Sequence, residues 1–497
     1  MRIPHRYNDL SISSRKFVRT GTLTSATIPA FSSRSMATTN AGARIEQLSQ
    51  RGLEQNPDFL ILAKNAALRL ETSAQKQDER GVYWLPQPGH AEKAATESAP
   101  NAIHSASAET VLFLIQLANA TGEARYLRTA SLGADYLVAT WLELVDKPGK
   151  GLSSDRNLDL SLYGGLAGVA FVLNETGKAT GKEKYCEAAR TATDYIVRTA
   201  KSVGSGLAWS EAPGIAGDGS IVLYLLYAAH EFESTLYGIT AERAGDHILE
   251  IATNERYGGF SWRGFPAFSG LPKDAYLPAF EDGTAGIVYV FARLYSETNK
   301  ARFLFAANQG ASHLQRVATL GSKAELISHP LSDLPDLHYA GFCHGPAGTA
   351  RAFFELYKIT REPDYQMWAE KLAQKVLQSN VPGNQTPCYW NIVCQCCGSA
   401  AVIDLFLEMW AFTQRLGYLA SAKRAARQLV SQKTNLRGEG ICNAQARARV
   451  NPWEASVEAG YFVSASGVGS TLLHVHLAEQ GKYSATRLPD NPVASTR

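Results

Sequence analysis

From about residue 42 onward, apolar residues recur at helical spacing. In 43–77, Leu48, Leu53, Phe59, Leu62, Leu68 and Leu70 mark one segment that reads as helix. Beyond it the chain alternates between two kinds of helix. The first kind is apolar almost all round, as in VAFVLNETGKATG after Gly168, and has to be buried on several sides. The second, as in KEKYCEAARTATDYIVRTA, carries one apolar stripe and one polar face, and belongs outside. A polar turn, often Thr-Gly, separates the two.

Each apolar helix follows a Gly-x-x-Gly motif or a variant of it. The clear copies are Gly165-Leu-Ala-Gly168, Gly217-Asp-Gly-Ser220, Gly283-Thr-Ala-Gly286, Gly345-Pro-Ala-Gly348, Gly398-Ser-Ala-Ala401 and Gly467-Val-Gly-Ser470. Ala106-Ser-Ala-Glu109 is a degenerate first copy, and successive starts lie 52 to 69 residues apart. Seven helix pairs bury a continuous core only by stacking side by side, and inner helices this apolar favour closing the stack on itself. The predicted fold is all-α, an (α/α)7 toroid of seven helix pairs with a Gly-x-x-Gly motif at each inner-helix N-terminus. Partial positive charge and free N–H groups gather at those N-termini, where they suit anions and thiolates. The toroid domain is expected over 42–485, after a leader (1–41) and before a tail (486–497). The Gly/Pro-rich stretch 258–283, and less clearly 437–465, is expected to form a lid or a cavity wall.

Composition narrows the function classes. The chain has 497 residues and a net charge of +3, too balanced to argue for nucleic acid. No apolar run approaches the ~20 residues of a membrane helix. The first 35 residues carry Arg2, His5, Arg6, Arg15, Lys16, Arg19 and Arg34 among many Ser and Thr. That is the pattern of a mitochondrial transit peptide; the other reading is a solvated tail ahead of an initiator at Met36. The expected location is otherwise the cytoplasm.

The seven cysteines are Cys186, Cys343, Cys388, Cys394, Cys396, Cys397 and Cys442. An odd count in a long chain without an evident secretory signal speaks against a disulfide framework and for metal or catalysis. Cys343 stands two residues before Gly345; Cys396 and Cys397 stand two and one before Gly398. Equivalent positions in neighbouring repeats face one opening, so a closed ring brings these sulfurs together. Zinc is the natural guest, with Cys343, Cys396 and Cys397 as ligands and a fourth position open. The bland alternative is small, buried, unreactive cysteines. Cys394 and Cys397 could form a redox pair, but no thioredoxin-like strand–helix context surrounds them. Cys388 and Cys394 are substitute ligands; Cys186 and Cys442 read as packing residues.

With its repeated Gly-x-x-Gly helix pairs, Phe342-Cys343-His344-Gly345 and Cys396-Cys397-Gly398, the chain resembles the lanthionine synthetase C-like proteins over roughly residues 100–480. The resemblance implies an (α/α)7 toroid with one zinc. It places Cys343 in the family's Trp-Cys-x-Gly motif and the Cys396–Cys397 pair in its Cys-His-Gly motif, with Cys397 where histidine is usual. It further implies addition of a cysteine thiol to a dehydroalanine or dehydrobutyrine, with a general acid protonating the enolate. The family's acid/base histidine belongs to an Ala-His-Gly motif, which here reads Glu281-Asp282-Gly283. Asp282 takes its place as acid/base, or else caps the following helix. The family's aspartate four residues before an early motif glycine corresponds to Ser161, leaving Asp159, two residues upstream, as a candidate. His344 is the alternative acid, and His338 lies near it in sequence.

The expected function is zinc-dependent activation of a thiol, from a peptide cysteine or glutathione, for thioether formation, by a protein that acts as a monomer. A non-catalytic module that binds zinc together with glutathione or a peptide is the alternative. Another helical toroid, a sugar epimerase or glycosidase, would need paired catalytic carboxylates and leaves the cysteine motifs without a role.

Overall fold

A computed structural model describes residues 57–85, 107–146, 160–264, 276–320, 340–381, 393–396, 398–431, 444–447, 451–457, 465–482 and 488–492. Its helices are α1 (Phe59–Ser73), α2 (Ser107–Thr121), α3 (Ala124–Asp146), α4 (Leu166–Thr180), α5 (Glu183–Thr199), α6 (Asp218–Glu231), α7 (Thr235–Glu250), α8 (Thr284–Thr298), α9 (Ala301–Leu320), α10 (Pro346–Thr360), α11 (Pro363–Ser379), α12 (Ser399–Thr413), α13 (Leu416–Ser431) and α14 (Ala465–Glu479). The even-numbered helices are the seven apolar ones. The first twelve residues of each of α2, α4 and α12 are buried without interruption, whereas α5 and α13 bury a single stripe.

The inner helices pack in chain order, and α14 packs back onto α2, so the ring is closed. The outer partner of α14 is α1, from the other end of the described chain. The seventh pair is therefore assembled from two distant segments. The helix expected over 43–77 is observed only from Phe59 to Ser73, and 43–56 lie outside the described residues. Its stripe is Phe59, Leu62, Ala63, Ala66, Ala67 and Leu70, which leaves Leu68 52% exposed, off the packed face. Asp58 caps α1, accepting from the N–H groups of Leu60 and Ile61 at 3.0 and 3.1 Å.

Two local devices recur. Five of the seven inner helices end on a threonine whose hydroxyl donates to the carbonyl four residues back, at 2.6–2.7 Å for Thr121, Thr180, Thr298, Thr360 and Thr413. The next residue turns left-handed: Gly122, Gly181, Asn299, Arg361 and Gln414 have φ between 53° and 72°. Short antiparallel hairpins follow α1, α5, α7 and α13. In the first three, a buried tryptophan donates its ring N–H to a last-turn carbonyl of the outer helix: Trp84 to Leu70, Trp209 to Ile196 and Trp262 to Ile248, at 2.7–2.8 Å.

The second glycine of the motif serves close approach rather than unusual backbone. A Cβ on Gly286 would overlap the Phe280 carbonyl oxygen, and one on Gly348 the Phe342 carbonyl oxygen. The first glycines, Gly283 and Gly345, have ordinary φ values of −136° and −124°. Small residues let each inner helix sit hard against the loop before it, which pulls the loops of successive repeats into one rim.

Residues 488–492, beyond α14, pack against the inner helices α10 and α12. Leu488, Asp490 and Asn491 are buried, although this stretch belongs to the tail expected over 486–497. Asp490 pairs with Arg351 of α10 at 2.7 Å, and Arg351 also binds Glu408 of α12 at 2.7 Å. Asn491 donates to Glu408 at 2.8 Å, and Lys358 donates to the Pro492 carbonyl at 2.7 Å. A second buried polar set joins the last repeats to the first. His474 lies 3.4 Å from Ser470 and 3.5 Å from Asp404, while Ser470 donates to Gln116 of α2. All of these side chains are buried, and the set links α12 and α14 to α2 across the closure of the ring.

Candidate metal centre at the mouth of the ring

The loops before the inner helices are laced to one another by backbone hydrogen bonds. The N–H groups of Phe342 and Cys343 donate to the Cys396 carbonyl at 2.7 and 3.1 Å. Those of Phe280 and Glu281 donate to the Cys343 carbonyl at 3.1 and 3.0 Å, and that of Ala216 to the Glu281 carbonyl at 2.7 Å. This lacing sets a register. Glu281, Cys343 and Cys396 each stand two residues before their motif glycine, and their side chains converge: the two sulfurs and a Glu281 carboxylate oxygen lie within 4.8 Å of one another. Cys343 and Cys396 are buried and Glu281 is partly buried.

Asp282 and His344 occupy the next position of the same register, one residue before the glycine. His344 Nε2 lies 3.1 Å from Asp282 Oδ1, so the two acid/base candidates are a contacting pair. Burial pushes the Glu281 carboxyl up; His344 pulls it back, Asp282 adds to the rise, and it stands at about 7. The Phe342 ring packs edge-on against Phe280 at 5.1 Å and Tyr163 at 5.9 Å. Burial, and after it the Asp490 charge, hold the Tyr163 phenol well above its usual range.

Cys343 and Cys396 therefore meet, as the repeat register predicts. Cys397, the third predicted ligand, and Asp159 lie outside the described residues, as do His338, Cys388 and Cys442. Cys394 is buried but does not belong to the cluster; its carbonyl accepts from the Gly398 N–H at 3.1 Å. Sequence reasoning missed Glu281. The signal was present, because the rule that aligns Cys343 with Cys396 selects Glu281 in the preceding repeat. Zinc bonds of about 2.0–2.3 Å in a tetrahedron put neighbouring donors ~3.3–3.8 Å apart. Donors already within 4.8 Å need to close by about 1–1.5 Å at most, and two thiolates with a carboxylate are a zinc-type donor set.

A closed helical toroid with a thiol-and-carboxylate cluster at its mouth is the class that fold and site define. The sequence profile of the lanthionine synthetase C-like proteins matches residues 156–443 and 332–480, and the chain belongs to that family. Among solved structures, the chain is similar to nisin cyclase with a TM-score of 0.55 at 14% identity, covering 78% of this chain and 92% of that one; the toroid is shared. Cellobiose 2-epimerase from Spirochaeta thermophila matches at a TM-score of 0.44 and 14% identity, over 72% of this chain and 100% of that one. An inactive α-1,6-mannanase variant from Salegentibacter matches at 0.39 and 15% identity, over 67% and 90%. These weaker likenesses carry no argument here. No curated protein matches the chain. Among the described residues no helix is long and apolar enough to cross a membrane.

Proposed function

We propose that the chain is a zinc-dependent thioether-forming protein. It would activate a thiol, from a peptide cysteine or glutathione, for addition to a dehydroamino acid. The observation that supports this most is the convergence of the Cys343 and Cys396 sulfurs with Glu281 at the mouth of a ring of this family. Cys343, Cys396 and Cys397 would hold the ion, with Glu281 in reach of the position a substrate thiol must take. The chemistry zinc supplies there is to keep an incoming thiol as its thiolate at neutral pH.

The remaining work falls to the chain's own side chains. The substrate sulfur bonds to the β-carbon of the dehydroamino acid, and the thiol proton leaves to solvent. The α-carbon of the resulting enolate takes one proton, so the addition is balanced. His344 would deliver that proton, and Asp282, 3.1 Å from its Nε2, would orient the ring. His344 thereby takes over the role of the family histidine, whose sequence position holds Asp282.

The test is metal analysis of the purified chain, with a dehydroalanine peptide offered glutathione in one arm and an internal cysteine in the other. About one zinc per chain and thioether in either arm are expected. Cys343→Ala should lose the metal while its far-ultraviolet circular dichroism stays helical. A wild-type chain that binds no zinc would sink the proposal. Zinc without turnover in either arm would assign the chain to the non-catalytic binding alternative.

A further inference from the structure

Phe342 is the node of the metal-holding rim. Its N–H donates to the Cys396 carbonyl at 2.7 Å, its ring abuts Phe280, the residue before Glu281, at 5.1 Å, and it precedes Cys343 directly. Beneath that ring sits the Arg351 guanidinium, 4.9 Å from its centroid. Arg351 is fixed by two anions, Glu408 on the neighbouring inner helix and Asp490 in the segment after α14. Asp490 is itself held in a tight turn. The Asn491 N–H donates to the Leu488 carbonyl at 3.0 Å, and the flanking Asn491 side chain and Pro492 carbonyl are tied to Glu408 and Lys358.

We infer that Asp490 is a positioning residue for the metal centre, acting through Arg351 and Phe342 on the loops that carry Glu281, Cys343 and Cys396. This rests on the metal reading above. Arg351 has a choice of anions. With both in place, its planar fork lies between them and under the Phe342 ring. Without the Asp490 charge, Glu408 alone draws the guanidinium toward α12 and away from the ring. The ring would settle, and with it the N–H that holds the Cys396 carbonyl. Groups that orient metal ligands from the outer shell typically contribute 10–100-fold in affinity, and this path ends on the backbone of two such ligands.

The experiment is cobalt(II) binding to the full chain, reading both affinity and the visible ligand-field bands. Asp490→Asn should weaken cobalt by about 10–100-fold and shift the bands, and Asp490→Glu should recover most of the affinity. Leu429→Ala, which opens a cavity under the outer helix α13 (Leu429 is 1% exposed), destabilises the ring without touching this path and should bind cobalt as wild type does. Should Asp490→Asn fail to fold, Asn491→Ala loosens the same turn more gently and should weaken cobalt several-fold with the same band shift. Wild-type affinity and bands in Asp490→Asn, or in Asn491→Ala where that variant stands in, overturn the inference alone. An equal loss in Leu429→Ala does the same, by reducing the effect to general destabilisation. A wild-type chain that binds no cobalt overturns the metal reading and this inference with it.

Discussion

Arg351 and Cys343 are eight positions apart on one stretch of chain, and their surroundings are built on opposite plans. Around Arg351 the ring supplies every charge itself. Burial alone would lower the guanidinium's pKa, but Glu408 and Asp490 hold it above its usual value, and Asn491 and Lys358 use up the acceptors next to it. Around Cys343 the ring gathers groups of one kind. Two thiols meet a carboxyl already pushed up to about 7, and His344 is the cationic neighbour that pulls it back. The first arrangement is complete within the chain and holds α10 and α12 to residues 488–492. In the zinc reading proposed above, the second would be completed by a cation from outside, which suits a site whose ligands exchange. The difference is one of address: α10 and α12 face a dry interior at Arg351, whereas Cys343 sits on a rim loop ahead of the helix.

The largest effect should come from breaking the interior arrangement. Arg351→Met keeps much of the volume but strands Glu408 and Asp490 as buried anions. Removing one partner of a buried pair costs about 3–5 kcal/mol, read from urea unfolding. Cys343→Ala at the rim should abolish metal binding yet cost the chelator-treated chain under about 2 kcal/mol. Equal losses from the two substitutions would erase the comparison.

The rim should instead reveal itself through pH. Glu281 titrates near 7 in the folded chain against 4.5 in the reference state, so between those values the folded state holds the extra proton. Stability from this group is present below pH 4.5 and is lost as pH rises toward 7, by no more than roughly 3–4 kcal/mol. Glu281→Gln removes the titration. In chelator-treated protein, the stability difference between wild type and Glu281→Gln should therefore shift against the wild type from pH 5 to 7.5. Asp218, raised to about 6 by burial against its hydrogen bonds from Ser210 and Trp209, contributes equally to both chains and cancels. A difference that stays flat would mean that Glu281 is not crowded.

The repeating part of the molecule was legible because it repeats. Seven apolar helices behind near-identical motifs fixed the ring, and one register rule brought Cys343 to Cys396 across 53 residues. What broke the repeat was hidden. The pairing of α1 with α14 joins opposite ends of the described chain, and no local pattern in Phe59–Ser73 names its partner. Asp490 and Asn491 lie in a Pro-flanked stretch whose composition reads as tail, and only the buried Arg351 and Glu408 give it a reason to pack against the inner helices. Glu281 was masked by its neighbour: the family motif drew the eye to Asp282, one residue on, while the register pointed at the carboxylate before it.

The smallest effect concerns that neighbour. Asp282 Oδ1 lies 3.1 Å from His344 Nε2, so in the reading of His344 as proton donor its charge aims the ring. Asp282→Asn keeps the shape and one acceptor oxygen but withdraws the charge. Thioether formation should slow by about tenfold, on the order of 1.4 kcal/mol, with zinc content unchanged. His344→Gln removes the donor and should cost 10²–10⁴-fold, again with zinc retained. If Asp282→Asn lost as much as His344→Gln, the carboxyl itself would be the acid and the histidine its support. If it lost zinc instead, the rim would depend on a fixed internal charge, as the interior does at Arg351.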